Sequence, residues 1–392
     1  MKLFQRTPLA YKNLTHRPRR FIVALMGVGF GVLLMFMETG FRNALFDSTV
    51  EIVQHLDADI IIISRARYML SASQTFDRSR IHLAHTCPGV EQACPLYIET
   101  YYAKWRIPGN KAYPIRVLAF SLDRPVFAFP EVVDAIEQLS GPGTALVDFK
   151  SKAKYGVPSR GTPVNLWPQV ELNDRSLRLI GGFKSGTDFA NDGNLIMSAA
   201  NFETYFRHQG RGPEPLKYVD VGIVQLAKGA DLYRVEQQLR DLLPKDVSVY
   251  TKQAFVDREI EFWDKSTPVG FIFLAGTIMG FIIGAIICYQ IIYSMNAGYL
   301  REFATLKAMG YPPRYFILLV LRQSFYLSLL GFIPGLIASL LLYGLVTQAT
   351  GLLMALTFKR AAIVLLLTIA MCCLSGALAM RKVLASDPAE LF

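Results

Sequence analysis

The chain has 392 residues, of which 52% are apolar and only 18% are charged, and its formal net charge is +10. Soluble domains carry about a quarter charged residues. Residues 42–267 hold 27 basic and 27 acidic groups, whereas the other 166 residues hold 14 basic and 4 acidic groups. This distribution excludes an ordinary cytosolic enzyme, a disordered chain and a nucleic-acid-binding protein. It predicts a membrane protein with one large domain outside the bilayer.

Four segments are long and apolar enough to cross a bilayer, which takes about 20 apolar residues. We predict helices at residues 20–41, 268–294, 316–346 and 361–381. A cleaved signal peptide is the alternative for the first segment, but no small-residue cleavage pattern follows its apolar core. We therefore interpret this segment as an uncleaved anchor.

The lysines and arginines near these segments predict their orientation, because basic flanks stay in the cytoplasm. Six basic residues and no acidic residue lie within residues 1–20, so we expect a cytoplasmic N-terminus. Four spans then place loop 295–315 and tail 382–392 in the cytoplasm, and the short loop 347–360 and the block 42–267 outside it. The prediction is a multi-pass protein of the inner (plasma) membrane with both termini in the cytoplasm.

The block outside the bilayer has the pattern of an α+β domain with one or two lobes. Strand patterns occur at residues 58–64, 113–120 and 175–180. The clearest unit is a ferredoxin-like β-α-β unit, with a strand over 218–226, an amphipathic helix capped by Asp231 and a strand over 247–250. A polar helix then begins at Lys252. We predict that it runs without a break into the second span, as a stalk over 252–267.

Two of the five cysteines, Cys87 and Cys94, lie in this block, where an oxidising environment is expected. Two alternatives remain open for them, a disulfide across the intervening residues or two free thiols. A metal site with His82 and His85 is a weaker interpretation, because no second ligand pair follows at the usual spacing. The other cysteines lie in the spans, where packing as small apolar residues is expected.

The chain shows no pattern typical of catalysis. It lacks the phosphate-binding G-x-x-x-x-G-K-[ST] loop, H-E-x-x-H and G-x-S-x-G. Arg322 is the only ionisable residue well inside a span, and it can reach the cytoplasmic surface or contact another subunit. We therefore expect no cofactor and no metal in this chain, and no enzymatic activity of its own.

Glycines recur at four-residue spacing in the first two spans. They are Gly27 and Gly31 in the first span, and Gly276, Gly280 and Gly284 in the second. Such spacing forms a groove that lets another helix approach closely. We expect the first two spans to pack together or against a second copy of the chain.

The loop between the second and third spans contains the pattern of a short helix. Apolar residues recur at helical spacing from Leu300 to Met309, Gly310 is expected to end the helix, and Pro312 prevents its continuation. Two interpretations remain open: a connector that lies on the bilayer, or a projection that docks on a cytoplasmic partner.

Residues Arg301 to Gly310 have the sequence REFATLKAMG, which resembles the coupling helix of the MacB/FtsX-type ABC permeases. The basic start before a glycine-rich span and the ending Asp387-Pro388-Ala389-Glu390 resemble the same family. Within it, the chain is most similar to the DevC-type permeases of cyanobacterial glycolipid exporters, over essentially its whole length. The stretches shared with those permeases include residues 35–48, 190–196, 255–257, 269–273 and 304–311.

This resemblance implies a MacB-like fold, with four transmembrane helices and a large α+β periplasmic domain between the first and second. It also implies a cytoplasmic N-terminal amphipathic helix over residues 1–19. It implies a homodimer in the lipid bilayer that works with a DevA-like cytoplasmic ABC ATPase, which holds the ATP and Mg²⁺. A DevB-like periplasmic membrane-fusion adaptor and a TolC-like outer-membrane channel are the other implied partners. Movement of the ATPase would reach the periplasmic domain by mechanotransmission and export a glycolipid or lipid-like substrate.

The resemblance also assigns residues to the contact with the ATPase. They are Arg301, Glu302, Thr305, Leu306, Lys307, Ala308, Met309 and Gly310. The apolar members would fill a groove of the ATPase, and the charged members would set the register through charge pairs. Two alternative functions remain: a lipoprotein-releasing permease, and an FtsX-like signalling protein that activates a cell-wall hydrolase and moves no cargo.

Overall fold

A computed structural model describes residues 18–188, 190–207, 211–297, 305–306, 309–350, 352 and 354–385. The described residues divide into two compact units. The helical unit comprises the described residues up to Ala44, Pro268–Ala349 and the described residues from Met354 onwards. The sheet unit comprises Leu45–Thr267 and the described residues between Ala349 and Met354.

The elements are numbered in chain order. The helices are α1 (Pro18–Gln54), α2 (Ser79–His85), α3 (Pro130–Asp134), α4 (Ile136–Leu139), α5 (Ala199–Phe206), α6 (Leu232–Leu242), α7 (Lys252–Lys265), α8 (Pro268–Ala297), α9 (Pro313–Thr350) and α10 (Phe358–Ala385). The strands are β1 (Ile60–Ser64), β2 (Phe76–Asp77), β3 (Val90–Glu99), β4 (Lys104–Arg106), β5 (Tyr113–Pro114), β6 (Arg116–Phe120), β7 (Thr144–Asp148), β8 (Val170–Leu172), β9 (Arg175–Phe183), β10 (Asn194–Ser198), β11 (Tyr218–Val219), β12 (Val221–Leu226) and β13 (Val247–Thr251).

Four helices of the described chain, α1, α8, α9 and α10, are long and apolar enough to cross a membrane. The sheet unit is inserted between the first and the second of them. These two observations confirm the predicted fold class of four apolar helices with a large α+β domain after the first.

The predicted end of the first span at residue 41 is not a break in the helix, because α1 continues to Gln54. Phe46, Val50 and Val53 recur at helical spacing beyond that point and are buried. The last turns of α1 therefore belong to the sheet unit, where Val50 and Val53 join a core cluster.

The predicted stalk over 252–267 is not continuous with the second span, and this part of the prediction is wrong. α7 ends at Lys265, and Ser266 and Thr267 separate it from α8, which begins at Pro268. Proline has no N–H to donate and disfavours the helical conformation of the residue before it. The break accordingly falls at the two residues directly before Pro268, which is the first residue of α8.

The sheet unit contains an eleven-stranded mixed sheet in the order β13-β1-β12-β3-β6-β10-β7-β9-β8-β4-β5, and a small β11-β2 pair. The first four strands of this order pair antiparallel. Because α2 lies between β1 and β3 in the chain, and α6 lies between β12 and β13, two β-α-β units interleave in the ferredoxin-like manner. The predicted β-α-β unit is confirmed, and Asp231 accepts hydrogen bonds from two backbone N–H groups at the start of α6.

The chain between β3 and β12 extends the same sheet, because β6 pairs with β3. The sheet buries apolar side chains on both faces, which explains the uninterrupted run of isoleucines in β1. Ile60 and Ile62 join the core beneath α2, α5 and α6, and Ile61 and Ile63 join the core beneath the end of α1, α3, α4 and α7. The two helices that connect this unit to the apolar spans, α1 and α7, therefore cover the same face of the sheet.

Candidate functional sites

The glycine grooves predicted in the first two spans face each other within one chain. A Cβ added to Gly31 would lie 3.2 Å from the Cα of Gly284, and one added to Gly280 would lie 3.8 Å from an α1 side chain. Gly27 faces two isoleucine side chains of α8. Where Gly31 meets Gly284, the two backbones can approach this closely because neither residue has a side chain.

The fifth predicted glycine, Gly276, has a different neighbour. It faces the carboxylate of Glu38, which α1 holds in a half-buried position. A methyl group at residue 276 would occupy the place of this carboxylate. The glycine therefore leaves room for a charged side chain near the end of the span.

A second close approach, between α1 and α9, was not predicted. A Cβ added to Gly29 would lie 3.4 Å from backbone atoms of Gly331 and Gly335. Because each residue turns a helix by about 100°, Gly29 lies on the side of α1 opposite Gly27 and Gly31. The sequence feature that indicates this contact is the four-residue spacing of Gly331 and Gly335 in α9.

Gly335→Ala is expected to destabilise the helical unit, because the added methyl would lie 2.7 Å from the carbonyl oxygen of Gly29. Overpacking of this kind costs about 1–3 kcal/mol. Gly344→Ala is the matched control, since it lies in the same helix with nothing within 4 Å of the added methyl and gains the same helix propensity.

Thermal unfolding of the full chain in detergent measures the difference in stability between the two variants. Labelling with a thiol-reactive reagent follows the unfolding, because Cys288 and Cys372 are buried in the folded helical unit. The two cysteines of the sheet unit and the partly exposed Cys373 are replaced by alanine in that background. If the Gly335→Ala and Gly344→Ala variants unfolded at the same temperature, the close approach of α1 and α9 would be ruled out.

α10 packs along α8 through small and polar side chains. The Ser375 hydroxyl donates to the carbonyl oxygen of Ala285 at 2.8 Å, and the sulfurs of Cys288 and Cys372 lie 3.7 Å apart as buried free thiols. Thiols of this kind fill small spaces between helices. This is the packing role expected for cysteines in the spans.

The end of the predicted coupling helix is among the described residues. Thr305 and Leu306 are helical, the Met309 N–H donates to the Thr305 carbonyl at 3.0 Å, and the Tyr311 N–H donates to the Leu306 carbonyl at 3.2 Å. Gly310 has φ +88°, the left-handed conformation that ends helices. The Met309 side chain is 63% exposed. The other expected coupling residues, Arg301, Glu302, Lys307 and Ala308, lie outside the described residues.

The structure does not bring Cys87 and Cys94 together, so the disulfide alternative is wrong for this conformation. Both thiols are free and buried, and burial raises the pKa of each. Cys87 follows α2 and joins the core on one face of the sheet, whereas Cys94 in β3 points into the core on the other face. Among the described residues, no group of three or more His, Cys, Asp or Glu side chains could hold a metal.

The stretch 190–196, which the sequence singled out, supplies partners to a buried carboxylate. The Asn194 amide donates to Asp148 Oδ2 at 2.9 Å, and the Gly186 N–H donates to the same oxygen at 2.7 Å. The Arg116 guanidinium donates to Asn194 Oδ1 at 2.8 Å. The stretch therefore holds the loop before β10 against the sheet.

Lys252, at the start of α7, binds the end of α1. Its ammonium group donates to the carbonyl oxygens of Gln54 at 2.8 Å and Leu56 at 2.6 Å. These carbonyls follow the last turn of a helix, where cations are favoured. Within the sheet unit, the two connecting helices are thus joined by one charged side chain.

Two adjacent charges of α7 bind the backbone of the loop that follows β1, residues 65–72. Glu259 Oε2 accepts from the Leu70 N–H at 2.9 Å, and Arg258 donates to the Arg67 carbonyl. Glu259 is 1% exposed. Its Oε1 and the Arg258 Nη1 have no hydrogen-bond partner among the described residues, although they lie 3.8 Å apart.

The side chain of Arg67 continues from this loop into a buried charge cluster, the Asp220 network, formed by Arg67, Glu99, Arg211 and Asp220. Arg67 and Arg211 bind the two carboxylate oxygens of Asp220 at 3.0 and 2.7 Å. Arg211 also binds Glu99 at 3.0 Å. The sequence did not indicate this network, because its members are far apart in the chain and follow no motif spacing.

Glu259 is expected to make the stability of the sheet unit depend on pH. Burial raises its pKa to about 7, although the Leu70 N–H, Arg258 and Arg67 all favour the ionised form. Because the folded pKa is above the unfolded value of 4.5, this contribution to stability is present below pH 4.5 and is lost as the pH rises to about 7. The loss is about 3 kcal/mol, at 1.36 kcal/mol per pKa unit.

Urea unfolding of the full chain between pH 4.5 and 8 tests this dependence when Glu259→Gln is measured beside the unchanged protein. The other carboxylates contribute equally to both curves, so the difference between them isolates Glu259. A difference that does not vary with pH would show that Glu259 stays ionised throughout.

Two comparisons with known proteins each find similarity to permeases. Residues 273–388 match the family FtsX-like permease C-terminal. The chain is 23% identical over 388 residues to a protein of Mycobacterium bovis described as an uncharacterized ABC transporter permease, and the match covers 98% of each chain. Two proteins of Mycobacterium tuberculosis with the same description match with the same identity and coverage.

Solved structures similar to this chain cover about half of it. One is the periplasmic region of MacB from Actinobacillus actinomycetemcomitans, with 14% identity, a TM-score of 0.36, and coverage of 53% of this chain and 95% of that one. Another is the extracellular domain of the noncanonic ABC-type transporter YknZ from Gram-positive bacteria, with 13% identity, a TM-score of 0.32, and coverage of 50% and 99%. Scores this low carry no argument about function.

Proposed function

Because residues 273–388 form an FtsX-like permease domain and the chain is homologous over its length to ABC transporter permeases, we propose that this multi-pass membrane protein is the permease subunit of a tripartite exporter of a glycolipid or lipid-like substrate. It would act as a homodimer with both termini in the cytoplasm. A separate ATPase would bind ATP and Mg²⁺, and a periplasmic adaptor and an outer-membrane channel would complete the path.

The observation that carries the proposal is the family match, because it covers the segment between α8 and α9. That segment ends at Gly310 with an exposed apolar side chain, Met309. An apolar side chain exposed beside predicted charged neighbours suits docking into a groove of a partner. Conformational change in the ATPase would thereby move the helices on either side of the segment.

The permease would convert this movement into work on the substrate side of the membrane. In the described structure, α1 and α7 enter the sheet unit and cover the same face of its sheet. Residues 42–267 have no net charge, which argues against recognition of a strongly charged cargo by its overall field. The glycolipid class rests on the resemblance to DevC-type permeases.

Affinity purification of the full chain from its host membrane tests the proposal, with mass spectrometry of both proteins and lipids. A co-purified ABC ATPase, an adaptor and an enriched glycolipid would support the exporter. A lipoprotein would favour the lipoprotein-releasing alternative. A cell-wall hydrolase or its activator without an adaptor would favour the signalling alternative. An unrelated membrane protein with the same tag is the control.

A further inference from the structure

We propose that the loop of residues 65–72 is the coupling element of the sheet unit, which carries displacements of α7 to the Asp220 network and from there to Tyr101 and Tyr102. Glu259 and Arg67 are the positioning residues of this connection. The inference rests on the proposed function, in which the helices on either side of the coupling helix, α8 and α9, would be moved, because α7 directly precedes α8 in the chain.

The first step is the attachment of α7 to the loop. Phe255 and Val256 bury the apolar side of α7 in the core, but apolar contacts alone allow a helix to slide. Glu259 and Arg258 instead bind single backbone groups of the loop, the Leu70 N–H and the Arg67 carbonyl. Breaking either of these hydrogen bonds would leave a buried polar group without a partner, which costs free energy. We therefore expect the loop to move together with α7.

The second step is the attachment of the loop to the strands. The Arg67 side chain is 1% exposed and donates to the Ala72 carbonyl at 2.8 Å, to the Asp220 carbonyl at 2.7 Å and to Asp220 Oδ1 at 3.0 Å. Asp220 lies between β11 and β12, and its Oδ2 accepts from the Ile98 N–H at 2.8 Å. The guanidinium thus fixes the loop to Asp220, and the Asp220 carboxylate in turn binds β3.

The third step leads from the strands to the surface. Arg211 joins Asp220 to Glu99, the last residue of β3. Glu99 Oε1 accepts from the N–H groups of the next three residues at 3.0 to 3.1 Å. Two of these residues are Tyr101 and Tyr102, which are 60% and 52% exposed. The position of Glu99 therefore sets the backbone on which both rings are presented.

Hydrogen exchange of the full chain in lipid nanodiscs tests the connection without any partner. We expect Glu259→Ala to raise the exchange rates of the Leu70 amide and of the amides of residues 100–102 by tenfold or more. Glu261→Ala is the matched control, since Glu261 lies on α7 in an exposed pair with Lys265, and it should leave both sets unchanged. Glu259→Gln, which keeps an acceptor for the Leu70 N–H, serves if the alanine variant does not fold, with a smaller increase expected at both places.

Faster exchange at Leu70 alone, with residues 100–102 unchanged, would overturn the proposal, because Glu259 would then act only locally. Faster exchange across the whole sheet unit would overturn it as well, since that result reports general loosening. Neither measurement involves the ATPase, so a failure here is distinct from a failure of the exporter proposal, which affinity purification tests.

Discussion

Met309→Asp is expected to leave the protein in the membrane but to abolish its stimulation of the partner ATPase. The Met309 side chain is 63% exposed at the end of the predicted coupling helix, so we expect its replacement to leave the stability of the helical unit unchanged. A carboxylate forced into an apolar contact costs several kcal/mol. Each 1.4 kcal/mol weakens binding tenfold, so we expect the affinity for the ATPase to fall by about 100-fold or more.

ATP hydrolysis by the purified ATPase, with the permease reconstituted in vesicles, measures this effect. Met309→Leu is the matched control, because it keeps an apolar side chain of similar volume and should retain stimulation. Glu302→Lys, which reverses a charge expected to set the register, should uncouple as well, whereas Glu302→Gln should do so less. Unchanged stimulation in both Met309→Asp and Glu302→Lys would remove the coupling role from this segment.

Asp220→Ala is expected to lower the free energy of unfolding of the sheet unit by more than a substitution at its surface does. Asp220 is fully buried and holds the guanidinium groups of Arg67 and Arg211, as well as the Ile98 N–H. Its removal leaves two cations in the core without their main partner. Breaking a buried charge pair in this way costs about 3–5 kcal/mol, a large fraction of the stability of a typical domain.

Asp246→Ala is the control for this prediction, because its ion pair with Arg80 at 3.2 Å lies at the surface, with Asp246 exposed and Arg80 half-buried, and surface pairs contribute about 1 kcal/mol at most. All three tryptophans, Trp105, Trp167 and Trp263, lie in the sheet unit. Tryptophan fluorescence during denaturant unfolding of the full chain therefore reports this unit alone. Equal unfolding midpoints for the two variants would mean that the buried arginines do not depend on Asp220.

The features that the sequence predicted correctly are those that repeat along a short stretch of chain. Apolar runs gave the four spans, and the alternation of 218–226 followed by the helical spacing after Asp231 gave the ferredoxin-like unit. The break before Pro268 is also a local effect, because proline disfavours the helical conformation of the residue before it, although α9 accommodates Pro334 in its interior.

The features that the sequence missed depend on residues far apart in the chain. Leu70 and Glu259 are 189 positions apart, and Arg67 and Asp220 are 153 positions apart. No spacing rule connects them, because the fold brings them together only after β1, β12 and α7 have packed. The pairing of Gly29 with α9 is of the same kind, since spacing shows which face is open but not which helix fills it.

By itself, the sequence determined how many helices are apolar enough to cross the membrane, where the neutral α+β block lies between them, and where the coupling segment ends at Gly310, because periodicity, charge and helix-ending residues act within a few turns of chain. Only the tertiary structure decided that Cys87 and Cys94 point into opposite cores, that α1 packs against two different helices through glycines on opposite sides, and that the charges of α7 are bound by the loop after β1. These outcomes depend on which surfaces meet, and that is fixed by the packing of the whole unit.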